Sequence, residues 1–201
     1  MHGLRISNLR CDLTARRQER MTTSEFLAWA VQQPERWEPF DGIPIAMSPE
    51  RVIHGDTKYR VARVFDEAIA RARVRCRFVL DGPIVRIDSR NSYQPDVLLY
   101  CGEPVPGDAL EVPNPVIVVE VLSPSNALRD LRDKLQGYFR VSAIHHYLIV
   151  DPDKRLIIHH ARAQNEAVST RIVNDGDIRL YPPGLTMPID DFFEPAAPQS
   201  A

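Results

Sequence analysis

Apolar positions along this chain follow two periods. An apolar run from Val116 to Leu122 is broken once, by Glu120. Prolines flank it and β-branched residues fill it, which predicts a strand buried on both faces. Pro95 to Tyr100, Val74 to Leu80, Ile84 to Ile87, Ile144 to Val150 and Leu156 to His160 read as further strands. The remainder to Phe193 reads as short strands and turns. Helical spacing governs three other segments. Thr22-Thr23-Ser24-Glu25 matches a capping box ahead of Phe26 to Val31. Ser48-Pro49-Glu50 reads as the start of a long helix, with Ile53, Val61, Val64, Phe65, Ala68, Ile69 and Ala72 recurring to about residue 73. Leu128, Leu131, Leu135, Tyr138 and Phe139 form an apolar stripe on a helix from about Ala127 to Val141. Asp41-Gly42, between two short apolar runs, signals a hairpin, and the prolines in its arms make it an edge hairpin. The order of elements predicts a single α/β (α+β) domain.

Composition narrows the function. The net charge is −2, so this is not a strongly basic scaffold, and any phosphate-binding surface must be a local patch. Arg60, Arg63, Arg71 and Arg73 on the long helix alternate with acids and read as a solvated face. Cys11, Cys76 and Cys101 are odd in number and far apart, and fit neither a disulfide framework nor a Cys-x-x-Cys knuckle. That pattern predicts a reducing, cytoplasmic setting. No apolar run has the roughly 20 residues of a membrane span. Residues 1–20 read as a flexible extension, 21–193 as the folded domain, and 194–201 as a frayed Pro/Ala-rich tail.

Glu120 is the chemical anomaly. A carboxylate inside a buried strand is costly unless it is paired or holds a metal. Asp96 opens the preceding strand, and neighbouring strands can bring the two acids together. Two hard oxygen ligands without a Cys/His cluster suit Mg²⁺, with Mn²⁺ able to substitute. Alternatively, Asp96 caps a turn and Glu120 pairs with a core cation. Lys134 lies one helical turn after Asp130. The two are either a surface ion pair or a cation directed at the acids. His145-His146 and His159-His160 sit on predicted strands, where adjacent residues face opposite sides, so neither pair chelates as a unit. Both are expected at the surface or half-buried. Ser123 and Ser125 lack a nucleophile elbow, and no Gly-rich phosphate loop occurs.

These residues carry a resemblance. Pro95-Asp96, then Val118-Val119-Glu120-Val121-Leu122-Ser123-Pro124-Ser125, Arg129-Asp130-Leu131 with Lys134 and Tyr138, and Tyr147-Leu148-Ile149-Val150-Asp151-Pro152 resemble the Uma-type restriction endonuclease family of the PD-(D/E)XK nuclease superfamily. Trp37-Glu38-Pro39-Phe40-Asp41-Gly42, Met47-Ser48-Pro49 and His54 agree with it. The resemblance implies a restriction-endonuclease-like mixed central sheet flanked by helices, and metal-dependent hydrolysis of DNA. It implies Asp96, Glu120 and the Val121 carbonyl as metal ligands, with Lys134 as the catalytic cation. Glu38, Asp130 and Tyr138 would support them. The chain departs from the superfamily at Leu122, where a lysine is usual, and at Ile43-Pro44, where the family more often has an acid. Two functions compete: an Mg²⁺-dependent DNA endonuclease acting as a homodimer, or a nuclease-fold protein that binds nucleic acid or a protein partner without cutting. A metal-free structural domain is a third reading.

Overall fold

A computed structural model describes residues 20–123, 128–164 and 167–193, without the side chains of 128–130. Residues 1–19 of the expected extension 1–20, and the expected tail 194–201, lie outside these residues. Helix α1 (Thr23–Ala30) leads to the hairpin strands β1 (Trp37–Phe40) and β2 (Ile43–Ala46), then to helix α2 (Val52–Ala72). Strands β3 (Cys76–Leu80), β4 (Val85–Arg86), β5 (Ser92–Tyr93), β6 (Val97–Cys101) and β7 (Pro115–Val121) follow. Helix α3 (Leu128–Tyr138) precedes β8 (His146–Asp151), β9 (Leu156–Arg162) and β10 (Val168–Val173). The small hairpin β11 (Asp177–Leu180) and β12 (Leu185–Pro188) runs into a 3-10 turn, Ile189–Phe192.

Six strands form the central sheet in the order β10-β9-β8-β7-β6-β3. Only β7 and β8 are parallel, and α3 makes the crossover between them. β7 therefore lies inside the sheet, which explains its nearly unbroken apolar run. Side chains alternate between two cores. Val97, Leu99, Ile117, Val119, Leu148 and Val150 face α2 and the C-terminal hairpin. Leu98, Tyr100, Val118, Tyr147 and Ile149 face α3, through Tyr138 and Leu135. Glu120 shares the α3 face by the same period-2 rule.

Local signals act as their chemistry dictates. Thr22 caps α1, and Glu25 returns the bond to complete the box. Asp41 and Gly42 take φ of 48° and 75°, the left-handed pair that a tight hairpin turn requires. A Cβ on Gly42 would lie 2.6 Å from the Met21 carbonyl oxygen.

Three expectations are corrected. Helix α2 starts at Val52, not at Ser48, and its N-cap, Arg51, makes no side-chain capping bond. Glu50 lies ahead of the helix, and its carboxylate pairs with Lys58 at 2.7 Å. Cys76 and Cys101 form a disulfide, since the β3–β6 register places them directly opposite each other. Their wide separation in sequence hid a pairing that strand order creates. His146, His159 and His160 are buried rather than superficial. The partner of each lies on another strand: His146 Nδ1 meets His159 Nε2 at 3.0 Å, and His160 Nδ1 meets Thr170 Oγ1 at 2.8 Å.

Candidate active site

Register brings the two acids together. Val97 pairs with Val119 across β6 and β7, so the next step outward sets Asp96 beside Glu120. The Val121 N–H donates to Asp96 Oδ2 at 2.6 Å and fixes that carboxylate. On the α3 face, Glu120 Oε1 accepts from Lys134 Nζ at 3.1 Å and from the Tyr138 hydroxyl at 2.7 Å. Lys134 and Tyr138 lie one turn apart on α3, and the crossover aims both back onto the strand that precedes it. Glu38, on β1, approaches Lys134 at 3.6 Å and accepts from the Gln94 N–H at 2.9 Å. Asp96, Glu120, Lys134, Glu38, Tyr138 and the Val121 backbone thus meet at one place. The side chain of Asp130 lies outside the described residues. The cleft above them holds about 270 Å³ and is walled on one side by Ile45 to Pro49.

A second set of groups, not anticipated from the sequence, reaches Asp96 from α2. His54 Nε2 lies 2.8 Å from the Val121 carbonyl oxygen and 3.4 Å from Asp96 Oδ2. Lys58 Nζ contacts Glu50 at 2.7 Å, Asp81 at 2.9 Å and Asp96 Oδ1 at 3.1 Å. One ligand atom from each of Glu50, His54 and Asp96 lies within 4.8 Å of the others, a possible metal site. A signal existed: Glu50, His54 and Lys58 recur every fourth residue, one polar stripe beside the apolar one. Tyr93 was also missed. It donates to the Asp133 carbonyl at 3.2 Å, and its ring lies 5.9 Å from Lys134 Nζ.

Electrostatics separate the two acids. Burial pushes the Glu120 carboxyl up to about 7, aided by Asp96 and Glu38 and opposed by Lys134 and Tyr138. Burial also pushes Asp96 up, but the bonds and charge of His54, Lys58 and the Val121 N–H together outweigh it and hold Asp96 low. Burial disfavours charged His54, yet Asp96, Glu50 and the Val121 carbonyl raise it to about 9. Burial raises Tyr138 well above its ordinary value, and neighbouring Glu120 adds to this, so the phenol stays a donor. The site can hold a hard cation on paired oxygens, with a buried ammonium beside them.

A mixed sheet with helices on both faces, and an acid pair beside a lysine at the ends of its strands, defines a nuclease-like α+β fold. The chain belongs to the Uma2 family, described as "Putative restriction endonuclease", whose model matches residues 23–189. Its fold resembles the crystal structure of a putative nuclease belonging to DUF820 from Anabaena variabilis ATCC 29413. The TM-score is 0.68 at 18% identity, over 86% of this chain and 97% of that one. Two Synechocystis sp. proteins are similar in sequence. Uncharacterized protein sll1609 is 26% identical over 65% of this chain and 75% of its own length. Uncharacterized protein slr1290 is 24% identical over 85% and 90%. No described helix is long and apolar enough to cross a membrane.

Proposed function

We propose that this protein is a metal-dependent endonuclease that hydrolyses phosphodiester bonds in DNA, using Mg²⁺ with Mn²⁺ as a substitute. One observation carries the reading: Glu120 and Lys134 meet beside Asp96 in the lining of an open cleft, with the buried Tyr138 bonded to Glu120 from behind. The donors fit such a cation, because Asp96 and Glu120 offer hard oxygens and lie on adjacent strands. Bound there, the metal would lower the pKa of water and polarise the scissile phosphate. The Val121 carbonyl is its candidate backbone ligand, although His54 holds that oxygen here.

The chain supplies the rest. Lys134 Nζ neutralises charge that develops on the phosphate oxygens. It takes the place of the lysine missing at Leu122, because α3 returns it to the strand end. Tyr138 donates to Glu120 Oε1 and fixes the carboxylate's orientation. Glu38 steadies Lys134 from the opposite side, and Asp130 is proposed to support the same lysine. A homodimer would present two such sites to the two strands of a duplex. In a cytoplasmic setting Cys76 and Cys101 would face each other as thiols.

One observation favours a second reading, a nuclease-fold protein that binds without cutting. Lys58 and His54 already pair with Asp96, which balances that acid without a metal. A covalently closed supercoiled plasmid distinguishes the two readings, because only internal cleavage can relax or linearise it. The endonuclease reading expects nicked and linear products with Mg²⁺ or Mn²⁺ and none with chelator. An intact plasmid under all conditions, with retained DNA binding, would support the second.

A further inference from the structure

We propose that Cys101 is a reversible thiol-exchange site for small thiols that carry an amino group, with Cys76 as its resolving partner. The proposal stands apart from the nuclease reading. Register sets the two cysteines directly opposite each other, on β6 and on the edge strand β3, and a disulfide joins them. Their surroundings differ. Cys76 is 9% exposed and belongs to the core beneath α2, whereas Cys101 is exposed. Exchange proceeds by attack of a thiolate on one sulfur, and access decides which sulfur is attacked.

A cavity makes that access specific. It holds about 540 Å³ and is lined by Cys101 and not by Cys76. Val105, Ala109 and Val112 give it apolar walls, and its charged lining is Glu103 and Glu111, without Lys or Arg. Arg86 engages Glu111 at 2.7 Å, so Glu103 sets the charge of the lining. An acid there repels an incoming thiolate, and a thiol that brings its own ammonium group offsets the repulsion. In the forward step the small thiolate bonds to Cys101 Sγ. The Sγ–Sγ bond breaks, and its electron pair leaves on Cys76, which takes up a proton. In the reverse step the Cys76 thiolate attacks Cys101 Sγ and expels the small thiol. The exchange needs no further oxidant or reductant, and the strand register keeps Cys76 in place to close the bridge again.

The bridged full chain with Cys11→Ser, which removes the third thiol, is treated with cysteamine under native conditions, quenched in acid at early times and mapped by mass spectrometry. The adduct is expected on Cys101 at least about tenfold over Cys76. Removing free cysteamine should restore the bridge in this chain, whereas an adduct made with cystamine on Cys76→Ser should persist. Ala109→Trp, which fills the cavity, should slow adduct formation by about tenfold. At equal thiolate concentration cysteamine should outpace thioglycolate, and Glu103→Gln, a change at an exposed residue, should narrow that difference. An adduct shared equally between the two sulfurs would overturn the assignment. So would an unchanged rate in Ala109→Trp shown to be folded by circular dichroism, or equal rates for the two thiols in the Cys11→Ser chain.

Discussion

At the scale of single residues, Glu120 sets the terms. It is 4% exposed and sits in a strand whose neighbours are fully buried. Removing either partner of a buried charge pair costs about 3–5 kcal/mol, while removing both together costs much less. Lys134→Met and Glu120→Gln should each lower unfolding free energy in urea on that scale. The double variant should fall well short of their sum. An additive double variant would mean that the two side chains do not interact. Burial also pushes His146 down to about 4 and His159 to about 3, against an ordinary 6.5. In the unfolded chain both take up protons below 6.5, while in the folded chain they do not. Stability contributed by their neutral forms is therefore whole above 6.5 and lost as pH falls towards 3. His159→Gln should be less acid-sensitive than wild type in urea titrations across that window. Glu120 and His54, whose values are raised, have the opposite slope and are unchanged by that substitution. An identical acid response in the variant would contradict the burial argument.

At the scale of elements, the placement of α3 decides whether Lys134 reaches its partner. Gly137, one turn after Lys134, lets the helix rest on Tyr93: an added Cβ would lie 2.4 Å from Tyr93 Cε2. Alanine favours a helix over glycine by up to about 1 kcal/mol. Here overpacking, typically about 1–3 kcal/mol, should exceed that gain. Gly137→Ala is thus expected to be destabilised in urea, and a more stable variant would show that the helix sits elsewhere. The Cys76–Cys101 disulfide ties the edge strand β3 to β6. Its reduction should cost about 2–4 kcal/mol, read by denaturation with and without reductant. Elements with strong local grammar were legible in the sequence: the capping box at Thr22, the Asp41-Gly42 turn, and the apolar run of β7. The start of α2 was not. Ser48-Pro49-Glu50 satisfies the local rules for a helix start, yet the helix begins at Val52 and Glu50 is tied from outside it to His54 and Lys58. The disulfide and the buried histidines were illegible for a related reason, because cross-strand partners depend on strand order.

At the scale of the whole molecule, the sheet is the plane on which the site is assembled. α2 lies on one face and sends His54 and Lys58 to the strand ends; α3 lies on the other and sends Lys134 and Tyr138. Asp96 and Glu120, neighbours across β6 and β7, stand where the two meet. That acid pair and Lys134 could be proposed from the sequence, because a carboxylate inside an apolar strand demands a partner. The contribution from α2 needed the tertiary fold, since Glu50, His54 and Lys58 alone read as an ordinary polar helix face. The central claim is that Glu120 and Lys134 perform phosphodiester chemistry rather than merely neutralise each other. The most direct test is the single-turnover rate of supercoiled-plasmid cleavage in Mg²⁺ for wild type, Glu120→Gln and Lys134→Met, each shown to be folded by circular dichroism. Cleavage by wild type, with a loss of about 100-fold or more in both variants, is predicted, on the scale of removing one transition-state-stabilising group. Equal rates in folded wild type and folded variants would contradict it.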